Sequence, residues 1–315
     1  MSLTSELKNV ESALAVFMNE RFPAVRELSV AFRALRPSDG EALQPPAAAR
    51  TRVAWGTLNA AIDHRLRYGF SDSRALPNAV ELGIAGAFQL AVPAVRAAVR
   101  KAGDDLGYLL GELIAAEQPA SRSRPLLLGA AAEAQLARLC YAMVWFEEVH
   151  RTGRLRPGTP LGDAGPEFTV ADLLAAVPGY AVEDLVAQAE IASGALAGLR
   201  AAYPPAAVYA GPDFAGSPDV GGADADLIAG GLLIEVKGTI VPSRLRRPEF
   251  YQLLGYALLD YDDEYRIDRL GFYLSRFGLL ISWPVEEYLK LLGSSRSLAE
   301  LRIECARELA RGQLG

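Results

Sequence analysis

Glu235 and Lys237 stand two residues apart in the run LLIEVKG, and the preceding run ADADLIA carries Asp224 and Asp226 at the same spacing. Alternate side chains of an extended strand share a face, so Glu235 and Lys237 point one way while Ile234 and Val236 point the other; Asp224 and Asp226 share a face likewise. Gly230-Gly231 joins the two runs and has the composition of a tight hairpin turn. Closing that turn brings an aspartate beside Glu235 and Lys237. Two carboxylates and a lysine on an apolar hairpin are unfavourable to bury without partners. A hard divalent cation suits the carboxylates, with Val236 or a neighbour lending a backbone carbonyl. Lys237 would then position or activate a metal-bound water against a phosphodiester.

An acidic-x-lysine triplet by itself says little, since Glu6-Leu7-Lys8 is another one. The ordered combination says more. ADADLIAGGLLIEVKGT resembles the signature of the PD-(D/E)xK nuclease superfamily, in which an aspartate on one strand precedes an acidic-x-lysine triplet on the next. The following RRPEFYQLLGYALLDY sets Gln252 and Tyr256 four apart, on one helical face, and is similar to the QxxxY element of the RecB-like branch. The resemblance covers roughly residues 205–290. It implies a restriction-endonuclease-like core with Asp226 and Glu235 as ligands of Mg2+ or Mn2+ and a carbonyl such as that of Val236 completing the set. Lys237 would be the catalytic lysine, and Gln252 and Tyr256 supporting residues. Asp226 is preferred to Asp224 because it directly precedes Leu227-Ile228, and Asp224 is assigned a supporting role on the same face. Ala225 stands where the family's literal motif has proline. The implied activity is metal-dependent hydrolysis of nucleic acid, DNA ahead of RNA, in settings such as defence or repair. The alternatives are a nuclease-like fold that binds without cutting, a helical interaction protein, or a plain surface ion-pair cluster on a hairpin.

The formal net charge of −6 argues against general polyanion binding. A local patch is needed, and Arg244, Arg246 and Arg247 in SRLRRPEFYQ supply one just before the Gln252/Tyr256 helix. Arg276, in SRF between two strands, is a further phosphate-contact candidate. His64 reads as an exposed helical histidine, His150 as a surface or capping residue near a helix end, and Glu147 and Glu148 as solvated. Trp283-Pro284 reads as core followed by strand termination.

The elements that must position these residues follow from periodicity and from glycine and proline. Helical spacing over 4–35 breaks at PSDGEALQPP and resumes over 48–69, 78–117 and 126–152. GRLRPGTPLGDAGP is a loop, followed by helices near 169–176 and 181–201, and 202–220 is a loop or short edge strand. After the hairpin come a helix at about 247–260, strands at 269–275 and 279–283, and helices at 285–292 and 297–312. The expectation is an α/β (α+β) protein: a mainly helical region, 1–200, ahead of a small mixed-sheet core, 201–315. Cys140 and Cys305 are two isolated cysteines in apolar stretches, which excludes a four-cysteine iron–sulfur or zinc site and reads as buried free thiols. The amino-terminal stretch lacks the layout of a signal peptide and no apolar run reaches the length of a membrane span, so a cytoplasmic protein with no membrane partner is expected. A homodimer is one arrangement open to a nuclease of duplex DNA.

Overall fold

The computed structural model describes residues 2–46, 53–71, 74–90, 92–117, 126–204 and 207–312. Two compact units divide the chain: Met1–Ala42 together with Gly198–Gly315, and Leu43–Ala197. A single cut near residue 200 therefore does not describe the organisation, because the first 42 residues belong with the C-terminal segment.

The expected helical stretch 4–35 is three helices, α1 (Leu3–Lys8), α2 (Ala13–Arg21) and α3 (Val25–Leu35). The breaks come from capping chemistry. Ser12 turns out of helical geometry and its hydroxyl accepts the Ala15 N–H at 3.1 Å, satisfying a donor at the start of α2. Pro23 follows the end of α2, where no helix can continue.

The second unit is helical among its described residues: α4 (Trp55–Phe70), α5 (Asn78–Ala85), α6 (Pro93–Glu117), α7 (Ala130–Thr152), α8 (Val170–Ala175) and α9 (Gly179–Ala195). Residues 48–52 of the expected helix 48–69 lie outside the described residues. The expected stretch 78–117 is two helices separated by a short 3-10 turn at Gly86–Gln89, with Pro93 opening α6 at the position where its missing N–H costs nothing. Gly83 lets α5 lie directly on α7: an added Cβ would sit 1.9 Å from the Phe146 carbonyl oxygen. Gly153, at φ +62°, ends α7 in the left-handed conformation.

After α10 (Ala197–Ala202) the chain forms β1 (Val208–Ala210), β2 (Leu227–Ala229), β3 (Leu232–Lys237), α11 (Arg247–Leu259), β4 (Arg269–Leu274), β5 (Leu279–Pro284), α12 (Val285–Leu291) and α13 (Leu298–Gly312). The five strands make one sheet in the order β1-β2-β3-β4-β5. β3 and β4 are parallel, bridged by the crossover helix α11, and every other neighbour is antiparallel. The fold is thus mixed α+β, with a helical portion ahead of a mixed-sheet core, as the order of elements predicts. Among the described residues no helix is long and apolar enough to cross a membrane.

Register assigns side chains to faces. Tyr209 pairs with Ile228, Ile228 with Leu233, and Leu233 with Leu270. This row and the residues two along it lie on one face. That face carries the core of the first unit, where Phe32, Phe250, Phe272 and Trp283 meet in edge and tilted contacts with centroids 5.7–6.5 Å apart. The amino-terminal helices contribute Leu3, Leu14, Phe17 and Phe22 to the same cluster, which is the physical reason they join this unit.

Candidate active site

The row one step along the same face is polar. Leu227 pairs with Ile234, so Asp226 comes beside Glu235, while Asp224, ahead of β2, bridges to Asp213. The hairpin places both aspartates, Glu235 and Lys237 on the face covered by α11. Gly230 and Gly231 make the turn at φ +56° and +85°, where residues with a Cβ are disfavoured.

The Asp226 carboxylate is anchored to the strand opposite, its Oδ2 accepting the Val236 N–H at 2.6 Å. Lys237 Nζ donates to Glu235 Oε1 at 2.8 Å and to Gln252 Oε1 at 3.3 Å. Gln252 Nε2 in turn donates to the Tyr256 hydroxyl at 2.9 Å and to Thr4 Oγ1 at 3.4 Å. An ammonium can only donate, so Lys237 fixes which end of the Gln252 amide faces it. Glu235 is 5 % exposed, while the Lys237 side chain keeps 19 % of its surface, so the cluster opens toward solvent at the lysine.

Burial presses Lys237 toward neutrality, but the charge and hydrogen bond of Glu235, with Asp226 and Glu249 behind them, outweigh it and leave the ammonium above the ordinary lysine value. Tyr256 is pushed well above the ordinary phenol value, first by burial and then by the charges of Glu235, Asp226 and Asp224. Three carboxylates thus act on one buried hydroxyl.

Could a cation be held here? The donors are carboxylate oxygens and a carbonyl, with no sulfur or imidazole among them, which suits a hard divalent ion. The Lys237 carbonyl accepts from Ser275 beyond β4, so strand alternation turns the N–H and carbonyl of Val236 the other way, toward Asp226. Among the described residues no three His, Cys, Asp or Glu side chains gather as a metal cage. A cation here would have to rest on Asp226 and Glu235 with the Val236 carbonyl rather than in a closed cage.

The structure brings together Asp224, Asp226, Glu235, Val236, Lys237, Gln252 and Tyr256. It leaves Arg244, Arg246 and Arg247 exposed ahead of and at the start of α11. There the Arg246 N–H donates to Glu249 Oε2 at 2.8 Å, and the Arg247 guanidinium lies 5.0 Å from the Tyr251 ring centre. Arg276 corrects its expectation: it is buried, and its Nε donates to the Gly238 carbonyl at 2.7 Å, so it secures the end of β3 instead of meeting phosphate. His64 and Glu147 are corrected too. His64 is 2 % exposed, and its Nε2 lies 2.7 Å from the buried Glu147 Oε2, inside the helical unit. Thr4 is the site neighbour that sequence reading missed. It lies 248 residues from Gln252 and carries no local signal.

Comparison with protein-family models, with curated proteins and with solved structures finds no match to the chain.

Proposed function

We propose that the protein is a Mg2+- or Mn2+-dependent nuclease that hydrolyses phosphodiester bonds. One observation carries this reading: Asp226 and Glu235 face each other across the hairpin, and Lys237 is held beside them by both Glu235 and Gln252. In the proposed site Asp226, Glu235 and the Val236 carbonyl would hold the cation, which when bound would supply Lewis acidity and a more acidic water. Lys237 remains an ammonium and places its positive charge where negative charge develops on the phosphoryl oxygens or on the attacking water. Gln252 orients the ammonium, and Tyr256 and Thr4 orient Gln252. Arg244, Arg246 and Arg247 draw the phosphate backbone by charge. DNA as the preferred substrate, and a place in the cytoplasm, come from the resemblance and from sequence character.

The test uses linear, circular and single-stranded DNA and RNA with wild type, Lys237→Ala and Glu235→Ala, each in Mn2+ and in EDTA. Cleavage by wild type in Mn2+ alone is expected. Both variants should be inactive, but only Glu235→Ala should lose Mn2+ affinity by titration calorimetry. Equal degradation by all three proteins would refute the assignment.

A further inference from the structure

β1 is an edge strand, yet it presents a large aromatic side chain on the face that carries the carboxylates. Tyr209 pairs with Ile228, which shares its face with Asp226. Tyr209 is 39 % exposed, and its ring meets that of Tyr265 edge-on, with centroids 4.9 Å apart. Tyr265 is held in turn by its hydroxyl, which donates to the Asp213 carbonyl at 2.6 Å. The row continues inward: Tyr265 contacts Phe214 at 5.5 Å, and Phe214 stacks on Tyr256 at 5.8 Å. Tyr256 then meets Gln252, which meets Lys237. Four aromatic rings therefore connect a solvent-exposed sheet edge to the lysine of the candidate site.

Two residues along a strand and one strand across put the Tyr209 Cα roughly 8 Å from that of Asp226. That span is comparable to the distance from a phosphodiester to the base of a neighbouring nucleotide. We propose that Tyr209, backed by Tyr265, is a stacking platform for an unpaired nucleobase, so that the site takes single-stranded nucleic acid; this rests on the nuclease reading above. Aromatic faces stack on any base, and stacking needs a free base face, which the neighbouring stacked pairs of a duplex keep covered. The charge distribution agrees. Burial first, and then the charges of Glu264, Asp260 and Asp213, lift the Tyr265 phenol to about 12, so the ring stays neutral in an acidic setting that repels phosphate. A neutral base fits there, whereas the phosphate backbone is drawn to the arginines at the start of α11.

The experiment measures fluorescence anisotropy of the full-length protein in EDTA, where no cleavage competes. The probes are a labelled oligothymidine, an abasic strand of the same length and a blunt duplex. Wild type should bind the oligothymidine about tenfold or more tightly than either other probe. Tyr209→Ser should lose that preference while binding the abasic strand as wild type does, and Tyr209→Phe should keep it. Thermal melting of each variant, with Tyr209→Phe as the folded reference, separates a lost platform from a lost fold. The proposal is overturned if Tyr209→Ser retains wild-type preference, or if wild type binds the abasic strand as tightly as oligothymidine. Cleavage in Mn2+ is scored separately with Lys237→Ala. A fully active Lys237→Ala refutes the nuclease reading, yet leaves a Tyr209-dependent base preference standing as base binding.

Discussion

Lys237 is held by opposing influences of unequal size. Burial favours its neutral form, and Glu235, with Asp226 and Glu249 behind it, more than reverses that. Removing the Glu235 charge should therefore expose the burial effect: in Glu235→Gln the lysine should lose its proton at lower pH than in wild type. Titration of isotope-labelled lysine by NMR checks this, and an unchanged or higher value would mean that Glu235 is not its main electrostatic partner. For stability the sign is that of a raised pKa. The pair stabilises the fold fully below the unfolded lysine value of about 10.4 and loses that contribution as pH rises through the higher folded value. Glu147 behaves in the opposite sense. Burial alone would raise its pKa, but His64, then Arg151 and Arg67, hold it at about 2. Its contribution is present above the ordinary glutamate value of about 4.3 and is lost as pH falls from there through about 2. Glu147→Gln should cost roughly 2–3 kcal/mol at neutral pH and weaken the acid dependence of unfolding in that window. Denaturant melts at neutral and acid pH measure both effects. The two clusters also differ in how far sequence could show them. Two-residue spacing on a strand made Glu235 and Lys237 legible as a pair, whereas His64 meets its partner 83 residues away, across two helices whose packing no local pattern encodes.

At the scale of elements, the hairpin, the crossover helix and the two strands after it were legible because each has a local cause. Gly-Gly makes the turn, alternation makes the strands, and four-residue spacing makes the Gln252/Tyr256 face. What local periodicity could not show was interruption. The stretches 4–35 and 78–117 keep helical spacing through their breaks, and only a serine cap and the prolines reveal where the chain turns. The turn itself is the most exposed weakness of the site. Gly231 has φ +85°, and an added Cβ would lie 2.9 Å from the Arg266 carbonyl oxygen. Gly231→Ala should therefore destabilise the first unit by about 1–3 kcal/mol and misalign Asp226 against Glu235. A lower midpoint of denaturant unfolding together with weaker Mn2+ binding is the expected result; an unchanged midpoint would show that the turn relaxes freely. At the other end of α11, Arg302 of α13 donates to the Ala257 carbonyl at 2.9 Å and to Asp260 at 2.7 Å. Arg302→Ala leaves the buried Asp260 carboxylate without its guanidinium, held only by backbone N–H groups such as that of Glu264, and should cost about 3–5 kcal/mol by the same measurement.

For the molecule as a whole, the candidate site belongs to a unit built from both ends of the chain. The C-terminal segment alone was legible as a core, because the hairpin and its helix are contiguous. That Phe17, Phe22 and Phe32 complete that core was not, since long-range packing leaves no mark on spacing. A fragment beginning at Gly198 should accordingly fail to fold: circular dichroism should show little cooperative melting, and joining residues 1–42 to it should restore a cooperative transition. The same arrangement bears on synthesis. At ribosomal rates, the 155 residues from Leu43 to Ala197 occupy roughly 10–30 s before the first strand of the sheet is made. Through that interval the apolar faces of α2 and α3 wait without their partners, while the helical unit can fold as soon as it emerges. The carboxylates and the lysine are made only with the hairpin that follows this interval, and Gln252 only with α11 after it, so a chain released earlier carries no assembled centre.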